Sequence, residues 1–187
     1  MAETFDEITD RLAGFIAEQH VFFVATAPAG TDGLVNVSPK GLDTFRILDP
    51  KTVAYLDLTG SGIETVSHLR ENGRICVMFC AFEGPAQILR LHGRGKVFEV
   101  GEPEFDELYP LFTPREIARA VIRIGVERVA TSCGYAVPVM AYEADRDVLD
   151  RFWQRKAGEL LAYRSEKNRS SLDGLPGLLG EPARPGA

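Results

Sequence analysis

The feature that most constrains this chain is the stretch at residues 52–79, TVAYLDLTGSGIETVSHLRENGRICVMF. It reads as a strand, a polar turn, a helix with apolar residues three apart, and a second strand beginning at Arg74. Asn72 and Gly73 end the helix, because both residue types tolerate the left-handed conformation of a C-terminal cap. The rest of the chain is arranged around this strand–turn–helix–strand unit.

The polar turn at residues 59–62 has two interpretations. A glycine-rich turn that opens a helix leaves free backbone N–H groups at the positive end of the helix dipole, which is a ready site for phosphate. Alternatively, Thr59 or Ser61 only caps the helix. An isolated Gly-Ser-Gly turn favours the capping role, because the motif is short and common.

Composition indicates a soluble protein with one compact domain. A chain of 187 residues buries roughly 70% of its unfolded surface. The net charge of −6 argues against a nucleic-acid partner, which needs a dense basic face. No apolar run is long enough to span a bilayer, and the acidic N-terminus is unlike a secretory signal. Three cysteines without framework spacing are typical of reduced thiols, so we expect a cytoplasmic protein with neither a membrane nor a metal site.

Periodicity predicts most of the secondary structure. A helix is expected over residues 4–19, and strands are expected over residues 21–27, 34–38, 52–58, 74–81, 87–100 and 120–131. Pro39 is expected to end the pairing of the second strand, and the glycines at 93 and 95 indicate a bulge, a corner or a close backbone approach. Short helical pieces are expected at 103–111 and 114–118, extended chain at 137–142, and a last helix from Asp145 or Asp147 to about Asn168.

These elements predict a mainly β fold. About six long, hairpin-linked strands with one inserted helix and helices at both ends favour a β-barrel with peripheral helices over a doubly wound sheet. Residues 1–168 are expected to form this single domain. The Gly- and Pro-rich residues 169–187 are expected to form an arm or a disordered tail.

The order of short motifs along these elements resembles a known family. The motifs are NVSPKG, DLTGSG, HLRENGR, RLHGRG and SCGYAVP. Together they are similar to the pyridoxamine 5′-phosphate oxidase-like family of FMN-binding split barrels, and in particular to an uncharacterised branch of it. The resemblance is best over residues 21–100 and extends to the strand at 120–142.

The resemblance implies an FMN-dependent oxidoreductase acting on a small-molecule redox substrate. It implies a homodimer with the cofactor clefts at the subunit interface. Because the flavin performs the electron transfer, no side-chain acid or base is required, and no catalytic residue is assigned. By position, the residues expected at the flavin phosphate are Lys40, Thr59, Ser61 and Thr65, and those expected at the ring or ribityl chain are Asn36 and Ser38. Read without the resemblance, Lys40 is a solvated loop lysine.

One departure from the family pattern concerns the phosphate. Where the oxidases carry Ser-Arg-Lys at the helix start, this chain has Ile-Glu-Thr, with Glu64 in the middle. A like charge within a few ångströms of a phosphate costs on the order of 1–4 kcal/mol. Arg70, Arg74 and Arg90 are candidate substitute cations, and FMN is disfavoured if none of them reaches the turn.

A second departure concerns the substrate. The oxidases end in a Trp and Arg-Leu signature, whereas Trp153 and Arg155 lie here on a predicted helix, so pyridoxamine phosphate oxidation is disfavoured. Two alternatives therefore stay open: a non-catalytic split-barrel dimer that binds or senses flavin or haem, and a deazaflavin-dependent reductase. His68, on the inserted helix, is interpreted as a capping or solvent-facing residue, or as a polar contact at the dimer groove.

Overall fold

The computed structural model describes residues 2–156 and 158–180, and its sheet is antiparallel throughout. The strands are β1 (Glu3–Phe5), β2 (Phe22–Thr26), β3 (Asn36–Lys40), β4 (Phe45–Asp49), β5 (Thr52–Leu58), β6 (Arg74–Cys80), β7 (Ile88–Glu99) and β8 (Ala118–Ser132). Their spatial order is β3-β2-β6-β7-β8-β5-β4, and β1 pairs with β8. The helices are α1 (Asp10–Ala17), α2 (Glu64–Asn72), α3 (Pro103–Leu108), α4 (Val148–Arg155) and α5 (Leu160–Lys167), with a 3₁₀ turn at Tyr109–Leu111.

The sheet curls around one apolar core, which confirms the expected split barrel. Phe22 on β2 lies 5.1 Å from Phe45 on β4 and 5.7 Å from Tyr55 on β5, measured between ring centroids. These strands come from opposite ends of the sheet order, so the sheet must bend until its ends meet. The end strands β3 and β4 do not pair with each other within the described residues, and this gap is the split.

The organising unit has the predicted structure. Helix α2 follows β5, and Gly73 ends it with φ +71°, so the left-handed cap is confirmed. Val66 and Leu69 are buried on the sheet side. The bulge expected near Gly93 is also confirmed, because the β7–β8 register shifts between His92 and Gly93. A Cβ at position 93 would lie 2.1 Å from the carbonyl oxygen of Gly125, so only glycine fits this crossing of two backbones.

Three predictions in the first half of the chain were wrong. The N-terminal helix begins at Asp10 rather than at residue 4, because Thr9 caps it and Glu3–Phe5 pairs with β8. Strand β4 was missed, because its five residues show no clear alternation of burial. Pro39 does not end pairing: it lies opposite Phe23 within β3. Proline is tolerated there because β3 is an edge strand.

Three predictions in the second half were also wrong. Residues 114–118 form no helix, since Ala118 already pairs with Leu58 as the start of β8. Residues 137–142 join no strand, although Met140 N–H donates to the carbonyl of Phe82. The single last helix is two helices, α4 and α5, because the chain tightens where Lys156 N–H bonds back to the Trp153 carbonyl.

The C-terminal arm is described as far as residue 180. Within it Ser170 forms a bridge with Pro176, and Leu178 is buried against the start of α2. Residues 181–187 of the predicted arm lie outside the described residues.

Candidate functional site

A buried carboxylate lies at the open edge of the barrel. Asp57, fully buried on β5, accepts hydrogen bonds from Lys40 Nζ at 3.0 Å and from Arg119 Nε at 2.7 Å. The three residues come from β3, β5 and β8. Since β3 and β5 share no backbone pairing among the described residues, the Lys40–Asp57 bond crosses the split.

The local backbone explains why these side chains converge. Lys40 pairs with the buried Phe22, and directly opposed residues of an antiparallel pair point to the same face, so Lys40 faces inward. On β8, Leu58 pairs with Ala118 whereas Asp57 pairs with Ala120. Arg119 is thus the extra residue of a β-bulge, a feature that re-aims a side chain.

The positive charges of Arg119 and Lys40 keep Asp57 ionised. Burial by itself raises the pKa of Asp57, but the charges of Arg119 and Lys40 outweigh it and lower the pKa to about 2. One carboxylate faces two cations, so the trio carries one positive charge in excess. An excess positive charge next to a cleft attracts anionic ligands.

The polar turn that follows β5 is fixed by hydrogen bonds to Ile117, Arg119 and Arg164. Thr59 is buried and donates its hydroxyl to the Ile117 carbonyl at 2.8 Å, while Arg164 Nε donates to Thr59 at 2.9 Å. Arg119 also reaches the Gly60 carbonyl at 3.4 Å. The N-cap of α2 is Ile63, which makes no side-chain capping bond, so the interpretation of Thr59 or Ser61 as the cap was wrong.

A chain of polar contacts joins β2 and β3 to the first turns of α2. Asn36 Nδ2 donates to Thr65 Oγ1 at 3.1 Å, and Thr26 Oγ1 lies 3.0 Å from His68 Nδ1. His68 is fully buried, which contradicts its interpretation as a capping or solvent-facing residue. Its Nε2 has no hydrogen-bond partner among the described residues, and burial lowers the pKa of His68.

Five of the six residues predicted at the cofactor gather on this side of the barrel. Ser38 faces inward, since it pairs with the buried Val24. Ser61 is the exception: it is exposed at the tip of the turn, and its side chain makes no hydrogen bond within the described residues. The other members of the predicted set that converge on the split and the start of α2 are Asn36, Lys40, Thr59 and Thr65.

The three arginines proposed as substitute cations do not contact the turn. Arg70 pairs with Glu99, Arg74 donates to the Pro28 carbonyl and Arg90 donates to Ser132. That expectation was wrong, because all three side chains are bound elsewhere, and by the criterion stated for them this result counts against FMN at the turn.

The cations that do reach the turn are Arg119 and Arg164, which sequence reasoning missed. An aspartate inside the apolar run of β5 was the available signal, since a buried carboxylate requires a cationic partner. Glu64 pairs with no arginine among the residues that the structure describes. Its carboxylate accepts the backbone N–H of Leu172 at 3.3 Å.

The family model described as pyridoxamine 5′-phosphate oxidase matches residues 8–133. The chain belongs to the pyridoxamine 5′-phosphate oxidase family. It is also 39% identical to the pyridoxamine 5′-phosphate oxidase family protein ustO of Aspergillus flavus over 192 residues, covering 93% of this chain and 77% of that protein.

Two solved structures show a similar fold. A variant of HupZ from Group A Streptococcus is 27% identical with a TM-score of 0.52, covering 67% of this chain and 99% of that one. A putative pyridoxamine 5′-phosphate oxidase from Lactobacillus delbrueckii is 19% identical with a TM-score of 0.50, covering 67% of this chain and 94% of that one.

None of the helices within residues 2–156 and 158–180 has the length and apolar character of a membrane-spanning helix. The same residues contain no group of three or more His, Cys, Asp or Glu side chains that could hold a metal ion.

Asp57→Asn is expected to destabilise the protein by about 3 kcal/mol, because it leaves Lys40 and Arg119 without their buried countercharge. Urea unfolding followed by circular dichroism measures the loss. Asp43→Asn is the matched control: Asp43 pairs with Arg46 at the surface with its side chain 67% exposed, and its loss should cost less than about 1 kcal/mol. Equal losses in the two variants would contradict a special role for Asp57.

The stabilisation from Asp57 should also depend on pH. Its folded-state pKa of about 2 lies below the ordinary value of 3.8, so the ionised form stabilises the fold above about pH 4 and this effect is lost as the pH falls towards 2. The gap in unfolding free energy between the wild type and Asp57→Asn should shrink by about 1 kcal/mol between pH 6 and pH 3. A gap that stays constant over that range would show that Asp57 does not titrate as described.

Proposed function

We propose that this protein is an FMN-dependent oxidoreductase of the pyridoxamine 5′-phosphate oxidase family, acting on a small-molecule substrate. The observation that carries the proposal is the inward-facing polar side of β3, which lies against the first turn of α2 with the excess charge of Lys40 and Arg119 beside it. When bound, the flavin supplies the electron transfer, and the protein supplies position and electrostatics.

The donors at the split suit the phosphate end of a flavin. Lys40 is a compact point charge fixed by Asp57, and Ile63, the N-cap residue of α2, makes no side-chain capping bond. A helix N-terminus without a side-chain cap and an adjacent lysine together form an anion site. Asn36 and Ser38 lie on the same inner face and supply hydrogen-bonding groups for the hydroxyls of a ribityl chain.

Glu64 opposes a phosphate at this site. Its carboxylate is held beside the turn: a Cβ at Gly62 would lie 2.6 Å from Glu64 Oε2. This feature favours one second candidate, a split-barrel dimer that binds flavin or another anionic ligand without turning it over. Reduction of the protein-bound flavin by NADH, NADPH or a small-molecule substrate distinguishes the two, since an oxidoreductase must have some electron donor and a binding protein needs none.

The same strand supports a homodimer. Val37 faces outward from β3 and is 62% exposed, and Val35, which directly precedes the strand, is 72% exposed. An open groove of about 400 Å³ lies beside them, with Ala25, Cys76 and Arg94 among its lining residues. An exposed apolar face on an edge strand is a natural site for a second copy of the chain, and two-fold pairing is the commonest way to cover it.

Flavin affinity should respond oppositely to two substitutions. Lys40→Met should weaken FMN binding by about 1–3 kcal/mol, because it removes a charge-assisted contact to phosphate. Glu64→Gln should strengthen binding, because it removes a like charge. Quenching of FMN fluorescence on titration measures both, with Lys51→Met, at an exposed lysine, as the control. Unchanged affinity in both test variants would exclude this cleft as the phosphate site.

Disruption of the outer face should yield monomers. The double variant Val35→Lys, Val37→Lys places two charges on the proposed interface and should halve the mass in solution at micromolar concentration. Sedimentation velocity measures it. Val148→Lys, at a valine 57% exposed at the start of α4, is the control and should remain dimeric. A wild-type protein that is already monomeric would refute the interface.

A further inference from the structure

Three carboxylate side chains link three segments of the chain, with one hydrogen bond between each two segments. The segments are the β2–β3 loop (residues 27–35), helix α2, and residues 171–179 of the arm, which we call the strap. The bonds run from Ala29 N to Glu71 Oε2 (2.6 Å), from Leu34 N to Asp173 Oδ2 (2.9 Å) and from Leu172 N to Glu64 Oε1 (3.3 Å). None of these carboxylates pairs with a cation of the described residues, so each depends on a backbone N–H.

The strap covers the first two turns of α2. Leu178, 6% exposed, packs against Ile63 and Val66. Ser67, 1% exposed, donates its hydroxyl to the Leu175 carbonyl at 3.4 Å. A Cβ at position 177 would lie 2.9 Å from Ile63, so the strap backbone touches the start of the helix. The end of α2 assigned to the flavin phosphate is therefore buried by the chain's own C-terminal segment.

The strap is a preformed loop that is anchored at its C-terminal end. There Gly177 N–H bonds to the Arg169 carbonyl, Leu178 N–H bonds to the Asn168 carbonyl, and Leu179 N–H bonds to Glu99 Oε1 at 3.0 Å. Inside it, Ser171 N–H bonds to the Leu175 carbonyl at 2.9 Å, and Leu175 N–H bonds to the Ser171 hydroxyl at 3.1 Å. Leu178 is its one buried apolar side chain, whereas Leu172 is 80% exposed. Segments with few buried apolar contacts and exposed hydrogen bonds open at low free-energy cost, so residues 171–175, which bury no apolar side chain, are the part of the strap that opens most easily.

We propose that the strap is a gate over the first turn of α2, that the Asp173 and Glu64 carboxylates hold its residues 171–175 shut, and that these residues detach when an anionic ligand enters or leaves, while residues 177–179 stay anchored. The nature of the ligand rests on the proposed function. The opening of the strap does not, because the buried hydroxyl of Ser67 gives a position at which opening is measured without any ligand.

The first experiment uses the full chain carrying Ser67→Cys, a nearly isosteric change at a buried position. The rate at which iodoacetamide labels the introduced thiol, read by mass spectrometry at that peptide, reports strap opening. Adding Asp173→Ala should raise the rate by about tenfold, because a hydrogen bond to a charged group is lost. Asp173→Asn, which keeps an acceptor oxygen, should restore slower labelling, and Asp32→Ala, at an exposed aspartate of the β2–β3 loop, should change nothing.

The second experiment measures FMN association and dissociation by stopped-flow fluorescence in the same variants without Ser67→Cys. A gate predicts that Asp173→Ala speeds both rates by a similar factor and changes the dissociation constant little. Faster labelling with unchanged FMN rates would show that the strap opens but gates nothing. Labelling unaffected by Asp173→Ala would show that the Asp173 carboxylate does not hold the strap shut. If no variant binds FMN, the proposed function fails, while the labelling rates still decide whether the strap opens.

Discussion

The buried ion pairs of Asp57 are the interaction on which the rest of this structure depends. A carboxylate without exposure to water is tolerable only with cationic partners, and Lys40 and Arg119 come from two different strands to provide them. Lys40 thereby ties the edge strand β3 to β5 across a gap that backbone hydrogen bonds do not close. The barrel stays split, yet its two edges are held at a defined separation with a positive charge between them.

The reversed alternation of β3 follows from that geometry. In an ordinary edge strand the apolar side chains face the core, but here Asn36, Ser38 and Lys40 face inward while Val37 faces outward and Val35, directly before the strand, is exposed. The inner side of the strand is polar and forms one side of the proposed cofactor site, and the outer side is an apolar surface. A single five-residue strand thus serves both the proposed cofactor site and the proposed subunit contact.

Helix α2 connects this cleft to the C-terminal strap. Its residues Thr65 and His68 contact β3 and β2. Its residues Glu64 and Ser67 contact the strap. Glu64, which looks unfavourable beside a phosphate, has a structural partner in the amide of Leu172. The charge that weakens an anion site therefore also holds the strap over it, which couples ligand access to the position of the C-terminal segment.

The sequence by itself determined the local structure of the unit from β5 to β6, and it determined the family. The turn and helix after β5, the cap at Gly73 and the bulge at Gly93 all follow from short-range chemistry, and the inward polar residues of β3 could be named from motif positions. The tertiary structure decided which charges meet. Arg119 reaches Asp57 only because a bulge on β8 turns it inward, and Arg164 reaches Thr59 from 105 residues away. Long-range pairing of this kind depends on the closure of the barrel, which no local periodicity encodes.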